Sequence, residues 1–271
     1  MIVDQISRIQ AAEEISILGY RVHPLTGDEV IDQITAAVVE KRRLVMANIN
    51  LHGMAVMFEN GPMAKLLSQA DAQVMIDGMP IIGIANLQGH KLSRTQRTTS
   101  LDFYDKMFAL GVSRGWRFGY VGGTPDTLRR GLDVLRARIP GLDIDGYDGY
   151  FDISDDRPDS RQSEIINWLN ERSHDILIVG MGMPRQEEWI ERIQAKIPTR
   201  VLMPTGAYLD YQVGAQKLAP RWMGQLGIEW AYRLVSSPKR LGYRYLVEPA
   251  VLLTRLAFRE HPQKRWRGDK A

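Results

Sequence analysis

The chain has 271 residues, 44% of them hydrophobic, which is enough to bury a full core as one large domain or as a domain with an appendage. Its net charge of +3 hides an uneven split: Gln212 to Ala271 carry twelve Lys/Arg against four Asp/Glu, whereas the preceding 211 residues carry 23 against 28. The absence of cysteine excludes a disulfide framework and thiolate chemistry, and no window reaches the roughly 18 uninterrupted apolar residues of a spanning helix.

Short β-rich runs alternate with helical patterns over the first 200 residues or so. Ile17 to Val22 reads as a strand, and Thr26-Gly27-Asp28-Glu29 as a capping box that opens a helix with Val30, Ile34, Ala37 and Val38 on its apolar face. Leu44 to Ala47 is the next strand, followed by helical patterns from Leu51 and from Pro62 and by the strand Ala72 to Ile76. Asp77-Gly78 then leads into an apolar segment, Met79 to Leu87. The helix Leu101 to Leu110, the strand Arg117 to Val121, the helix Pro125 to Ile139 and the strand Leu142 to Gly146 come next. A helix around Ser163 to Glu171, the strand Ile176 to Met181, the helix Pro184 to Ala195 and the strand Val201 to Pro204 complete the set. This alternation predicts an α/β fold, a Rossmann-like parallel sheet with helices on both faces, whose ligands bind beyond the carboxyl ends of the strands. The boundary falls at Gly214: residues 1–214 form the sheet domain, and 215–271 a helical basic appendage punctuated by Pro220, Pro238 and Pro249.

Two strand-to-helix turns are rich in glycine. Gly122-Gly123-Thr124-Pro125 places a proline at the first helical position behind glycines that let backbone N–H groups approach an anion, and Gly180-Met181-Gly182-Met183-Pro184 repeats the arrangement. Each is a phosphate or sugar-nucleotide loop or an ordinary tight turn, and the pair favours nucleotide binding. Neither is a dinucleotide fingerprint, because Arg185 stands where the third glycine belongs, and no P-loop, G-x-S-x-G or H-E-x-x-H occurs. The five histidines, His23, His52, His90, His174 and His261, lack metal-ligand spacing and read as surface or capping residues. Asp77-Gly78 sits at a strand end between Ile76 and Met79, where a carboxylate at the rim in apolar company suits general-base work, although Asp-Gly is also a favoured turn. Asp143-Ile144-Asp145 has the form of a metal-holding D-x-D, but a solvated strand edge explains it as well, and no metal site is assigned.

Several ordered stretches resemble the WecG/TagA/CpsF bacterial glycosyltransferases over roughly residues 17 to 250. They are Asn48-Ile49-Asn50, Ala70-Asp71 with Asp77-Gly78, Arg97 before Leu101-Asp102, Val121 to Thr124, Pro140-Gly141-Leu142 with Asp148-Gly149-Tyr150-Phe151, Gly182 to Glu187, and Ala219-Pro220-Arg221-Trp222 through Leu226 to Leu234. The resemblance implies inverting, metal-independent transfer of a hexose or N-acetylhexosamine from a UDP-sugar to a polyprenyl-diphosphate-linked saccharide, with no cofactor, in surface or exopolysaccharide synthesis. By position it implies that Asp77 is the catalytic base, that Arg97 assists it, and that Asn48, Asn50, Gly122, Gly123, Thr124, Gly182, Gln186, Glu187, Arg233, Arg240 and Arg244 contact substrate. Leu218 departs from the basic residue usual before Ala219-Pro220, and a third tail arginine is replaced by Tyr243 with Arg244 beside it. The stretch Asn48 to Gly53 leans toward a neutral hexose donor. An inverting transfer without metal needs one carboxylate for the acceptor proton and guanidinium groups for the leaving diphosphate, roles that fall to Asp77 and to Arg97, Arg233 and Arg240.

The tail alternates arginines with apolar residues: Arg244, Arg255 and Arg259 flank Leu246, Val247, Val251, Leu252, Leu253, Leu256 and Phe258, with Lys264, Arg265 and Arg267 beyond. That pattern suits an anionic membrane surface, and a location at the cytoplasmic face of the bacterial inner membrane as a peripheral protein; the start of the chain shows no secretory signal. The competing reading is a helical pair packed on the body or on another subunit of a homo-oligomer. Two other functions compete: a nicotinamide-dependent oxidoreductase, which the missing third glycine disfavours, and a nucleic-acid-binding module using the basic aromatic tail. No nucleic-acid partner is expected.

Overall fold

A computed structural model describes residues 11–216, 223, 229–236 and 238–257. The run Ile17 to Val22, expected as one strand, is a hairpin: β1 (Ile15–Ile17) pairs antiparallel with β2 (Tyr20–Val22) around Leu18 and Gly19, at φ 52° and 81°. Two central residues at positive φ make the turn that matches strand twist, and Leu18 carries no sequence signal for it. The capping box forms as expected, with Thr26 and Glu29 bonding each other's backbone N–H at the start of α1 (Gly27–Val39).

The chain then runs β3 (Leu44–Ile49), α2 (Leu51–Met57), α3 (Gly61–Leu67), β4 (Ala72–Ile76), α4 (Met79–Leu87), a 3-10 turn (Arg94–Gln96), α5 (Ser100–Arg114), β5 (Phe118–Gly122) and α6 (Pro125–Arg138). It continues through β6 (Ile144–Tyr147), α7 (Arg161–Arg172), β7 (Ile176–Gly180), α8 (Arg185–Ile193), β8 (Val201–Pro204) and α9 (Tyr208–Gln212). The described part of the tail holds α10 (Glu229–Ser236), α11 (Pro238–Gly242), a π-helical turn (Tyr243–Val247) and α12 (Glu248–Ala257).

Six parallel strands form one sheet in the order β4-β3-β8-β7-β5-β6. Alternate strand residues face opposite layers, as the pleat requires. Val45, Ala47 and Ile49 of β3 join Val121, Leu177, Val179 and Leu202 in the layer under α2, α3, α4, α7 and α8, whereas Leu44 and Met46 join Phe118, Tyr120, Ile176 and Ile178 under α1, α5, α6 and α9. The helix α8 buries Trp189, Ile190 and Ile193 completely, each worth roughly 1.5–3 kcal/mol of apolar transfer. That burial anchors the first turn of α8 beside the end of β7.

Connections that step toward β4 pass over the first layer, and those that step toward β6 pass over the second, as right-handed crossovers demand. The chain leaves β5 toward β6 and leaves β7 toward β8, so a crevice opens between two hydrogen-bonded neighbours, with Gly122 paired in register to Gly180. The strands meet closely there. A side chain at Gly180 would collide with the Tyr120 hydroxyl and come within 2.8 Å of the Gly206 carbonyl oxygen.

The tail docks on the body through α12. Leu252 is 1% exposed and joins Met54, Met57 and Phe58 in the first layer, while the Arg255 guanidinium lies 5.6 Å over the Phe58 ring and 2.8 Å from Glu59. His52 Nδ1 and Glu248 Oε2 meet at 2.8 Å. The outer side exposes Val235, Tyr243, Leu246 and Leu253. Among the described residues no helix is long and apolar enough to cross a membrane.

Two glycine substitutions should move stability in opposite directions. Gly180→Ala overpacks the strand end and should cost about 1–3 kcal/mol. Gly83→Ala, in the exposed middle of α4 where an added methyl meets nothing within 4 Å, should gain about 0.5–1 kcal/mol. Denaturant unfolding of both variants measures the difference, and equal midpoints would contradict the packing described.

Candidate active site

The carboxyl ends of the strands open into a cleft of about 2250 Å³, against roughly 300–1,000 Å³ for an ordinary small-molecule pocket. It has room for two substrates at once.

At one end stands Asp77. Its backbone N–H donates to the Ile49 carbonyl at 2.9 Å, which ties the turn after β4 to the end of β3. Gly78 follows at φ 129°, a conformation that a residue with a side chain rarely adopts, and swings the chain into α4. The Asn50 amide does two jobs: its oxygen accepts from the Gly53 N–H at 3.0 Å as the N-cap of α2, and its Nδ2 donates to Asp77 Oδ2 at 3.3 Å. The capping bond fixes the rotamer that reaches the acid. Asn48, paired in register with Met75, lines the same wall. Arg97 follows the 3-10 turn and bridges to Ile76 as an extra parallel contact, with the Thr98 N–H donating to the Ile76 carbonyl at 2.9 Å. Asp77, Asn48, Asn50 and Arg97 therefore share one side of the cleft.

The glycine turns form the other side. The Thr124 hydroxyl accepts from the Thr127 N–H at 3.1 Å and caps α6, whose N-terminus opens beside Gly123. The positive end of that helix dipole favours an anion. Gly123 also accepts from the Gly149 N–H at 2.9 Å, which draws the loop after β6 against it. Gly122 is buried at the strand end and packs against Gly180, so it shapes the turn from behind the wall. Gly182 and Gln186 line the cleft. Gln186 Oε1 accepts from the Gly182 N–H at 3.2 Å and from the Gly206 N–H at 2.9 Å, and its Nε2 donates to Glu187 Oε1 at 2.7 Å.

Glu187 stands apart from the other predicted contacts. It is 1% exposed and lies behind Gln186, off the cleft wall. Burial pushes its carboxyl up to about 7. In the tail, Arg244 and Tyr243 line the far lip with His52 and Glu248. Arg233 and Arg240 belong to α10 and α11, but their side chains lie outside the described residues.

Asp143 and Asp145 sit at the outer strand, where Asp145 meets Arg172 at 2.8 Å and His174 at 2.7 Å. His23 and His174 are buried, contrary to the surface reading. The Val74 N–H donates to His23 Nδ1 at 2.9 Å, and burial, with help from Arg21, pushes that imidazole down to about 4. Among the described residues no group of three or more His, Asp or Glu could hold a metal ion.

The sequence pattern of the glycosyl transferase WecG/TagA/CpsF family matches residues 15–266. The chain belongs to that family. Two similar relatives from Staphylococcus aureus, of strains MW2 and NCTC 8325 / PS 47, are N-acetylglucosaminyldiphosphoundecaprenol N-acetyl-beta-D-mannosaminyltransferases. Each is 26% identical over 180 residues, 66% of this chain and 66% of the relative, so the match spans just under two thirds of either.

Several wall residues of this family member carried no signal in the sequence. Arg94, Thr99, Ser100 and Asp105 reach the cleft through the fold alone, whereas Asp102 and Tyr150 belong to stretches that carry the family resemblance. Arg185, which breaks the dinucleotide fingerprint, has a task of its own: its Nη2 donates to the carbonyls of Gly149, at 3.3 Å, and Phe151, pinning the loop after β6 to the start of α8. A loop held that way keeps Tyr150, three-quarters exposed, at the cleft lip.

The raised Glu187 carboxyl has a measurable sign. Below its ordinary 4.5 the group is protonated in both states; between 4.5 and about 7 the unfolded chain loses the proton while the native protein keeps it. The contribution of Glu187 to stability therefore falls by roughly 1.4 kcal/mol per pH unit across that window and is flat above it. Glu187→Gln removes the slope. Urea unfolding at pH 4.5, 5.5, 6.5 and 7.5 should show the variant gaining on the wild type by about 3 kcal/mol up to pH 7, whereas a constant difference would mean an ordinary carboxyl.

Proposed function

We propose that the protein transfers a sugar, with inversion, from a UDP-sugar to a polyprenyl-diphosphate-linked saccharide. The observation that carries this reading is one large cleft with an amide-held carboxylate, Asp77, at one end and two glycine turns at the other. The nucleotide diphosphate lies along Gly123, Thr124 and Gly182 at the β5/β7 crevice, where α6 presents its N-terminus. Its sugar extends toward Asp77. The acceptor hydroxyl enters from the tail side, and Asp77 takes its proton as the oxygen attacks the anomeric carbon from the face opposite the diphosphate. Arg97 and Arg244, joined by Arg233 and Arg240 from the tail, supply the positive charge that the departing diphosphate needs, in place of a divalent cation.

The relatives' name supports the acceptor class, a sugar diphosphate on a long isoprenoid, and the β linkage that an inverting transfer makes from an α-linked donor. It also makes N-acetylmannosamine a candidate donor sugar beside the neutral hexose suggested by Asn48 to Gly53. We assign residues 1–214 to catalysis and 215–271 to a membrane-associating appendage. Exposed Leu246, Val247 and Leu253 in that appendage face away from the docked Leu252, and each basic residue near an anionic leaflet adds roughly 1 kcal/mol. Such an appendage holds the enzyme peripherally at the cytoplasmic face of the bacterial inner membrane.

A panel of UDP-sugars with a lipid-diphosphate acceptor tests the reaction. UDP release should require both substrates, persist in chelator, and fall by about 10²–10⁴ in Asp77→Asn; release without acceptor, or full turnover in Asp77→Asn, would refute the assignment. Vesicles containing phosphatidylglycerol test the appendage: the double variant Leu246→Glu, Leu253→Glu should pellet with them markedly less than the wild type, and equal pelleting would remove the membrane from the proposal.

A further inference from the structure

The buried carboxyl behind the cleft has no place in the mechanism above, and its surroundings say what it does. Gln186 Oε1 receives two backbone N–H groups, one from the turn after β7 (Gly182, 3.2 Å) and one from the turn after β8 (Gly206, 2.9 Å). A single amide oxygen thus ties together two turns that both line the cleft. Rotated by half a turn, the same amide would point its NH₂ at two N–H donors and hold neither. The bond from Gln186 Nε2 to Glu187 Oε1, at 2.7 Å, reinforces the orientation that holds both.

The arrangement is unfavourable for folding by itself. Glu187 is 1% exposed, and its Oε2 is buried without a hydrogen-bond partner among the described residues. Leaving a carboxyl oxygen unsatisfied in the interior destabilises a protein, and an apolar side chain of like size would remove that defect. A local rule broken directly behind the wall of the cleft marks a functional demand.

We propose that Glu187 is a positioning residue: it fixes the Gln186 amide so that its oxygen clamps the turns at Gly182 and Gly206 and its second Nε2 hydrogen stays available to the ligand in the cleft. The role of that hydrogen rests on the sugar-transfer reading, in which the ligand is the donor diphosphate. The clamp itself does not.

Two variants separate positioning from mere packing. Glu187→Leu fills the space without an acceptor; Glu187→Gln keeps an oxygen for Gln186. Amide hydrogen exchange in the full-length protein reads the clamp without any substrate. Gly182 and Gly206 should exchange at least tenfold faster in Glu187→Leu and within threefold of wild type in Glu187→Gln. Denaturant midpoints should be equal or higher in the Leu variant, and its kcat for transfer should fall about tenfold while the acceptor KM stays put. Unchanged exchange at both glycines, or a Leu variant with full kcat, overturns the proposal. So does a Leu variant that loses stability and activity together, because that is the mark of packing alone. A wild type that transfers no sugar from any donor defeats the functional reading instead, and the exchange rates still decide the clamp.

Discussion

Right-handed crossover is the constraint on which the site depends. Steps of the chain toward β4 pass over one layer and steps toward β6 over the other, the long β4–β5 connection changing layers between α4 and α5. Because β5 exits one way and its neighbour β7 the other, the loops that follow them diverge and cannot fill the space between their ends. A crevice at that point is thus a consequence of strand order, before any side chain is considered. Side chains then decide its character. Gly122 and Gly180 keep the strand ends close enough for the Gly123 N–H to reach the Gly180 carbonyl at 3.3 Å, and the capped start of α6 turns a geometric gap into one that attracts anions.

Two carboxyl groups show how position in this frame sets chemistry. Asp77 lies at the rim, half-buried, one oxygen accepting from Asn50. Water and an incoming hydroxyl can both reach such a group. Glu187 follows β7, three strands over in the sheet, and lies fully inside, where burial above all pushes its carboxyl up to about 7. In the proposed reaction the first exchanges a proton with a ligand, whereas the second is shielded from ligands and meets only the amide in front of it. Along the chain each follows a strand, Asp77 directly after β4 and Glu187 in the first turn of α8. Only depth separates them.

What could be read from the chain divides along the same line. The capping box at Thr26 was legible because its hydrogen bonds join residues three apart, and the strand ending at Ile76 with the Asp77-Gly78 turn because composition marks them, although their hydrogen bonds reach back to β3. The hairpin at Leu18 was not, since a leucine at positive φ leaves no compositional trace. Nor was the placement of Glu187: helical periodicity puts it in the first turn of α8, but burial there is set by strands and turns distant in sequence. Arg185 is the reverse case, a residue that told against one motif and turned out to fasten a loop 34 residues away. Resemblance to a family located Asp77, Arg97 and Gln186 along the chain, and the fold brings Asp77 and Arg97 to one side of the cleft and Gln186 to its opposite wall.

The tail brings two of these levels together. Leu252 is buried on α2, the helix that begins at Asn50, and Glu248 reaches His52 one turn from that cap. Burial of one leucine contributes roughly 2 kcal/mol and the His52–Glu248 hydrogen bond about 1 kcal/mol, so the docking of α12 is weak beside the sheet's own packing. Weak docking suits an element with two faces. The inner face rests on the helix whose N-cap, Asn50, holds the acid, while the outer face exposes Leu246, Val247 and Leu253.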